Sequence, residues 1–252
     1  MVFRAALRKE FTEQWRTYRF LVLIIVILFF GLSSPLLAKY TPDLLKMVSG
    51  SSNLSINLPA PTVMDAVGQY VKNSSQFGFL LALLFTMGTV VQEKERRTAA
   101  MILVKPVTRA TFLAAKFLAL SLAFLASLVL AGLGAYYYTV ILFQPVNFGN
   151  WMLMNLLLWL YLTLYIALTM MFSTISRSQA AAAGLSFGVL LVLSLAGSIG
   201  KIADYLPAQL ISWGVSLFAA SSTPYWWSLG ISLGVIAACL VISWVVFRKQ
   251  EL

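Results

Sequence analysis

WMLMNLLLWLYLTLYIALTMMF, the stretch from Trp151 to Phe172, decides the fold of this chain. It contains no aspartate, glutamate, lysine or arginine. An α-helix rises about 1.5 Å per residue, so about 20 apolar residues are enough to cross the hydrocarbon core of a bilayer. The stretch therefore predicts a membrane-spanning helix.

Five further uncharged apolar runs surround this one. Their composition is typical of the whole chain, in which 60% of the 252 residues are apolar and 10% are charged. So few charges cannot cover the surface of a soluble domain of this length. We therefore expect an all-α polytopic membrane protein with six transmembrane helices in one transmembrane domain over residues 1–252. The other five predicted spans are Phe20–Leu37, Gln76–Val91, Phe117–Leu142, Ala180–Ile199 and Trp226–Phe247.

The basic residues indicate how the chain is oriented. They lie in short clusters between the apolar runs, whereas a nucleic-acid-binding protein carries its basic residues on one face of a polar domain. We therefore expect the lipid bilayer, and no nucleic acid, as a partner. Fourteen lysines and arginines fall on the side of both termini, against four on the other side. Because lysine and arginine accumulate in cytoplasmic loops, this predicts a multi-pass protein of the cell membrane with both termini cytoplasmic.

Residues 1–19 have the pattern of an amphipathic helix. An aromatic and aliphatic stripe occupies one side of this helix, and the charged residues occupy the other. The pattern favours a helix that lies in the membrane interface, although a solvated segment beside the membrane remains the alternative. The stripe consists of Phe3, Leu7, Phe11, Trp15 and Tyr18, of which the first four are the predicted interfacial residues.

Two outer segments interrupt the spans. In the loop of residues 39–75, Thr41 and Pro42 predict the start of a short helix at Pro42–Val48. The segment 201–225 is largely apolar but is broken by Pro207, Gly214 and Pro224. It is too interrupted to span and too apolar to lie in water, which predicts a re-entrant outer hairpin.

The connection Glu93–Lys116 between the second and third spans is the most specific local feature. Thr98 is placed to cap a short helix that Pro106 ends, and Thr108 is placed to cap the third span. The product is a basic cytoplasmic elbow. From the residues alone, a docking element for a soluble partner and a loop that only sets topology are equally good interpretations.

The sequence from Gly184 to Gly188 matches the GxSxG pattern of serine nucleophiles. That pattern needs a histidine base, and this chain contains no histidine. Ala180, Gly184 and Gly188 instead place small residues at every fourth position, which predicts a helix-packing face.

Three regions together resemble the permease subunits of type-2 ATP-binding-cassette transporters, mostly bacterial exporters. They are the N-terminal run from Leu7 to Trp15, the elbow, and the Tyr205-Leu206-Pro207 start of the outer segment. The elbow residues that match the family pattern, and that the resemblance implies as coupling residues, are Glu93, Arg97, Thr98, Leu103, Lys105, Pro106 and Arg109.

This resemblance implies a translocation pathway formed by two permease chains, the same or related, and powered by two copies of a separate ATPase. The chain has no GxxxxGK[ST] phosphate-binding loop, so we expect no enzyme and no cofactor here, with ATP and magnesium in the partner. The alternatives are an ion-coupled secondary transporter or channel, and a non-transporting membrane assembly factor. Ion coupling usually requires ionisable groups within the spans, and the predicted spans have none.

Overall fold

A computed structural model describes residues 2–49, 60–95, 108–197, 200–219 and 223–250. Within these ranges the chain is helical, and six helical stretches are long and apolar enough to cross a membrane. The all-α polytopic fold with six candidate spans is thereby confirmed. The helices are α1 (Val2–Arg16), α2 (Arg19–Ser49), α3 (Val63–Thr86), α4 (Val91–Glu95), α5 (Arg109–Leu142), α6 (Phe148–Ile175), α7 (Gln179–Ala196), α8 (Gly200–Ala203), α9 (Ala208–Ser216) and α10 (Trp226–Lys249).

The centre of the bundle is α6. It contacts α3, α5, α7, α9 and α10, and Leu162, Ile166 and Met170 on it are completely buried. About 72% of its most apolar stretch is buried, against 11% for α7 and 17% for α10. A helix that is apolar all round and buried belongs in a core, so the large exposed apolar surfaces of α7 and α10 are left for lipid or for another chain.

α2 and α3 extend furthest beyond the apolar runs that predicted them. α2 continues through Pro35 and Pro42 to Ser49, so the separate short helix predicted at Pro42–Val48 is wrong. Proline lacks one backbone donor, but helices of membrane proteins tolerate it where neighbouring groups compensate.

α3 begins at Val63, well before the apolar run that starts at Gln76. Its first turn is closed by Asp65, whose carboxylate accepts a hydrogen bond of 2.7 Å from the backbone N–H of Thr62. Val67 and Tyr70 in this added part are fully buried against the start of α6. Burial of these side chains stabilises the first part of α3. The polar residues around them explain why the sequence pattern did not predict a helix there.

α9 packs against the start of α6. Leu210 and Trp213 are buried, and a Cβ added at Gly214 would lie 3.1 Å from the Met154 side chain. The glycine therefore allows a close approach of the two helices. Just beyond α9, the side chain of Asn150 donates a hydrogen bond of 2.9 Å to the carbonyl of Leu217. These contacts fix α9 on the bundle, while the re-entrant path stays a prediction.

A tight turn separates α1 from α2. Tyr18 in this turn has φ 57°, in the left-handed region that residues other than glycine seldom occupy. Trp15 and Phe20 meet across the turn, with ring centroids 5.9 Å apart. The turn therefore ends α1 as a separate helix before the first candidate span begins.

Candidate coupling site

Five charged side chains, those of Lys9, Glu10, Glu13, Glu93 and Lys116, form an ion-pair cluster between α1, α4 and α5. We call this end of the bundle, where α6 and α10 also end, the basic end. The Lys116 ammonium lies 2.7 Å from a Glu93 carboxylate oxygen and 3.1 Å from one of Glu10. The Lys9 ammonium lies 3.0 Å from Glu10 and 3.4 Å from Glu93. Glu10 and Glu93 thus each bridge both lysines, Glu13 lies 3.1 Å from Lys9, and the cluster joins α1 to α4 and α5, which are distant from it in sequence.

The charges of the cluster compensate one another. Lys116 is only 3% exposed, and a buried charge is tolerated when it is paired and hydrogen-bonded. Burial by itself would lower the pKa of Lys9, but the nearby carboxylates of Glu10 and Glu93 outweigh it and raise that pKa above its ordinary value. Burial likewise opposes the shift at Glu13, yet the charges of Lys116 and Lys9 lower its pKa. Both shifts favour the charged forms of Lys9 and Glu13 at neutral pH.

The carboxylates of the cluster lie close to one another, with ammonium groups among them. Carboxylate oxygens of Glu10, Glu13 and Glu93 approach within 4.8 Å of one another, which is close enough for a shared cation. Lys9 and Lys116 already place two ammonium groups among them. These ammonium groups supply the positive charge that a metal ion would otherwise bring.

Arg109 holds the end of α10. Its guanidinium donates hydrogen bonds to the carbonyls of Phe247, Arg248 and Gln250, at 2.5, 2.8 and 3.0 Å. The last carbonyls of a helix have no partner within the helix and carry partial negative charge, so a cation stabilises them. Arg109 therefore attaches the start of α5 to the end of α10.

Lys94 holds the end of α6 in the same way. Its ammonium donates to the carbonyls of Thr174 and Ser176, at 2.7 and 3.1 Å. The side-chain amide of Gln250 also donates to the Thr174 carbonyl, at 3.0 Å. The side chains of Lys94 and Gln250 thus join the ends of α4, α6 and α10.

The turn between α3 and α4 is fixed by a buried serine of α6. The Ser173 hydroxyl donates to the carbonyl of Met87 at 2.8 Å. It also accepts from the backbone N–H groups of Val90 and Val91, at 3.2 and 3.3 Å. The break between α3 and α4 leaves these backbone groups without partners within a helix. Ser173 of α6 supplies the hydrogen bonds instead, because buried backbone groups need a partner.

The predicted coupling residues fall into two groups. Glu93 lies in the ion-pair cluster and Arg109 on the end of α10, so both anchor the segment 96–107 at its borders. The predicted cap at Thr108 is confirmed, because its hydroxyl accepts a hydrogen bond of 3.2 Å from the N–H of Thr111. Outside the described residues lie Arg97, Thr98, Leu103, Lys105 and Pro106.

The buried face of α1 differs from the apolar stripe. Glu10 and Gln14 are buried against the bundle, whereas Trp15 is 66% exposed and Phe3 is 38% exposed. Leu7 and Phe11 lie at the border, half-buried. Glu10 belongs to the N-terminal run and Lys116 to the elbow that carry the family resemblance, but the sequence did not predict that they pair, because they lie 106 residues apart.

The small residues of α7 point away from the described core. Ala180 and Gly184 are exposed, and a Cβ added at Gly184 or Gly188 would meet no atom within 4 Å. Ser186, the serine of the GxSxG match, is buried and donates to the carbonyl of Ala182 in its own helix. Within the described part of the chain, this small-residue face is therefore not covered by another helix at Gly184 and Gly188.

Comparison with known proteins agrees with this architecture. The chain is 28% identical over 255 residues to the uncharacterized transmembrane protein YxlG of Bacillus subtilis (strain 168), an alignment that covers 99% of this chain and 98% of that protein. A family model described as ABC-2 family transporter protein matches residues 4–252. This match spans the described helices from α1 to α10, so the chain is a multi-pass membrane protein that belongs to the ABC-2 family of transporter proteins.

Proposed function

We propose that this chain is the permease subunit of an ATP-binding-cassette exporter. Two permease chains, the same or related, form the translocation pathway. Each basic end binds one copy of a separate ATPase, which holds the ATP and magnesium. The basic end and both termini face the cytoplasm, since the excess of lysine and arginine lies there.

The observation that carries this proposal is the anchoring of both borders of the segment 96–107. On one side, Glu93 and Lys94 attach α4 to α1, α5 and the end of α6. On the other side, Arg109 attaches α5 to the end of α10. A displacement of this segment by a partner is therefore passed to several spanning helices at once, because packed helices move as rigid bodies.

The packing of α6 supports a pathway between chains. Large apolar side chains fill the middle of the bundle, and Leu162, Ile166 and Met170 leave no exposed surface there. The open small-residue face of α7, at Ala180, Gly184 and Gly188, is suited to close contact with a second chain. Opening then needs only shifts between two packed bundles.

Charge reversal in the elbow tests the proposal. The tagged chain is purified from its native membrane with its ATPase and reconstituted in vesicles, and ATP hydrolysis is measured. Lys105→Glu should lower the hydrolysis that depends on the permease by about tenfold or more, because reversing one interfacial charge costs several kcal/mol. Lys46→Glu, a lysine of the outer loop on the opposite side of the predicted topology, is the matched control and should change it little.

Equal hydrolysis in both variants would contradict coupling through the elbow. Ion- or proton-driven transport by the purified chain alone, without ATPase, would contradict the proposal as a whole and favour a secondary transporter.

A further inference from the structure

A cavity of about 300 Å³ opens between α3, α6, α7 and the bend before α9. This volume lies at the lower end of the range of about 300–1,000 Å³ that is usual for small-molecule sites. Aromatic and aliphatic side chains form most of its wall, together with the polar side chains of Ser75, Gln76 and Ser194. The apolar wall includes Phe79, Tyr161, Tyr165, Phe187, Leu190 and Pro207.

The cavity lies near the middle of the bundle along its length. α3 and α6 run side by side in the same direction, since Tyr70 bonds Asn155, Phe79 contacts Tyr165, and Met87 bonds Ser173. The same offset places Gln76 level with Tyr161, close to the midpoint of α6.

A polar stripe leads along α3 to this cavity. Lys72 and Gln76 are exposed on one side of the helix, one turn apart, and Leu80 and Leu84 continue the same side. Neither polar side chain makes a hydrogen bond or ion pair within the described ranges 2–49, 60–95, 108–197, 200–219 and 223–250. An amide without a partner is destabilising in an apolar medium, and a lone ammonium is more so. Lipid tails alone therefore do not suit this surface.

We propose that the cavity binds an amphipathic anion, a molecule with an acyl-type chain and an acidic headgroup. The headgroup accepts hydrogen bonds from the Gln76 amide and the Lys72 ammonium. The chain lies against Phe79, Tyr165 and Phe187. That this molecule is the cargo rests on the proposed transport function, whereas its binding does not.

Photolabelling tests the site without any ATPase. The full chain in phosphatidylcholine vesicles is exposed to a ten-carbon fatty acid with a diazirine in its chain, and labelled residues are mapped by mass spectrometry. We expect saturable labelling at the cavity wall, displaced by unlabelled fatty acid. Displacement by phosphatidylglycerol as well would identify a membrane lipid as a ligand of the same site.

Three variants define the headgroup site. Lys72→Ala should weaken binding of the acid by about tenfold or more, since a hydrogen bond to a charged group contributes about 1.5–3 kcal/mol. It should leave a neutral alcohol of the same length unaffected, whereas Gln76→Leu should weaken both. Lys249→Ala is the matched control.

Ser194→Trp fills the cavity without changing any charge and should abolish labelling by both probes. This variant carries the test if Lys72→Ala does not fold. Labelling that spreads over the exposed faces of α2 and α10 and is not displaced would overturn the proposal. So would equal effects of Lys72→Ala and Lys249→Ala. Neither result would bear on coupling to an ATPase.

Discussion

The ammonium of Lys116 lies 2.7 Å from a carboxylate oxygen of Glu93, and these two residues stand on opposite sides of the segment 96–107. This ion pair joins α4 to α5. Glu10 of α1 binds the same ammonium at 3.1 Å, and Lys9 of α1 lies 3.4 Å from Glu93, so the N-terminal helix is attached to both α4 and α5.

Loss of the Lys116 charge should destabilise the whole protein. Lys116→Met keeps most of the side-chain volume but leaves two partly buried carboxylates without their shared cation, a change that typically costs about 3–5 kcal/mol. Lys9→Met removes a lysine that is 44% exposed and should cost about 1 kcal/mol at most. Thermal unfolding of the purified variants measures the difference. Similar melting temperatures for the two variants would show that the buried pair has no special role.

Ser173 should stabilise the turn between α3 and α4. Ser173→Ala removes the partner of two backbone N–H groups and should cost about 1–3 kcal/mol. Ser243→Ala is a buried control whose hydroxyl bonds only the carbonyl of Cys239 in its own helix, and it should cost clearly less. Unfolding in denaturant compares the two variants. The larger loss at Ser243 would disprove the bridging role of Ser173.

Arg109 should protect the last turn of α10 from hydrogen exchange. A favourable cation at a helix end is worth up to about 2 kcal/mol, so Arg109→Gln should speed exchange of the amides in this turn by roughly 5- to 30-fold. Arg248→Gln is the control, because its guanidinium lies over the Trp244 ring, 5.8 Å from the ring centroid. Equal acceleration in both variants would mean that Arg109 does not cap the helix.

Cysteine labelling should establish the orientation in the membrane. In a Cys239→Ala background, which removes the single native and buried thiol, Lys46→Cys and Lys105→Cys are treated with a membrane-impermeant reagent on intact cells. Lys46→Cys should be labelled at once, and Lys105→Cys only after the membrane is opened. The reverse pattern would invert the proposed topology and with it the docking side.

The sequence predicted best what depends on local pattern. Long uncharged runs predicted the six candidate spans, and Thr108 predicted the start of α5. The early start of α3 was missed because Lys72 and the polar residues 73–75 after it are typical of a loop, although Thr62 followed by Asp65 three residues later is close to a capping-box pattern.

What could not be predicted depends on contacts between distant segments. Nothing near Glu10 in the sequence indicates that its partner is Lys116, and nothing near Arg109 indicates the end of α10. A charged residue at the end of a predicted span is equally consistent with topology, partner binding or an internal ion pair. Only the packing of the helices distinguishes these roles.

The bond between Arg109 and the end of α10 also has a consequence for biogenesis. The two segments are 138 residues apart, so at about 5–20 residues per second the ribosome needs roughly 7–30 s to supply the carbonyls that Arg109 binds. During that interval Arg109 lacks these partners, and the start of α5 stays detached from the end of α10. The contact between the two helices therefore forms only after the last helix has been synthesised.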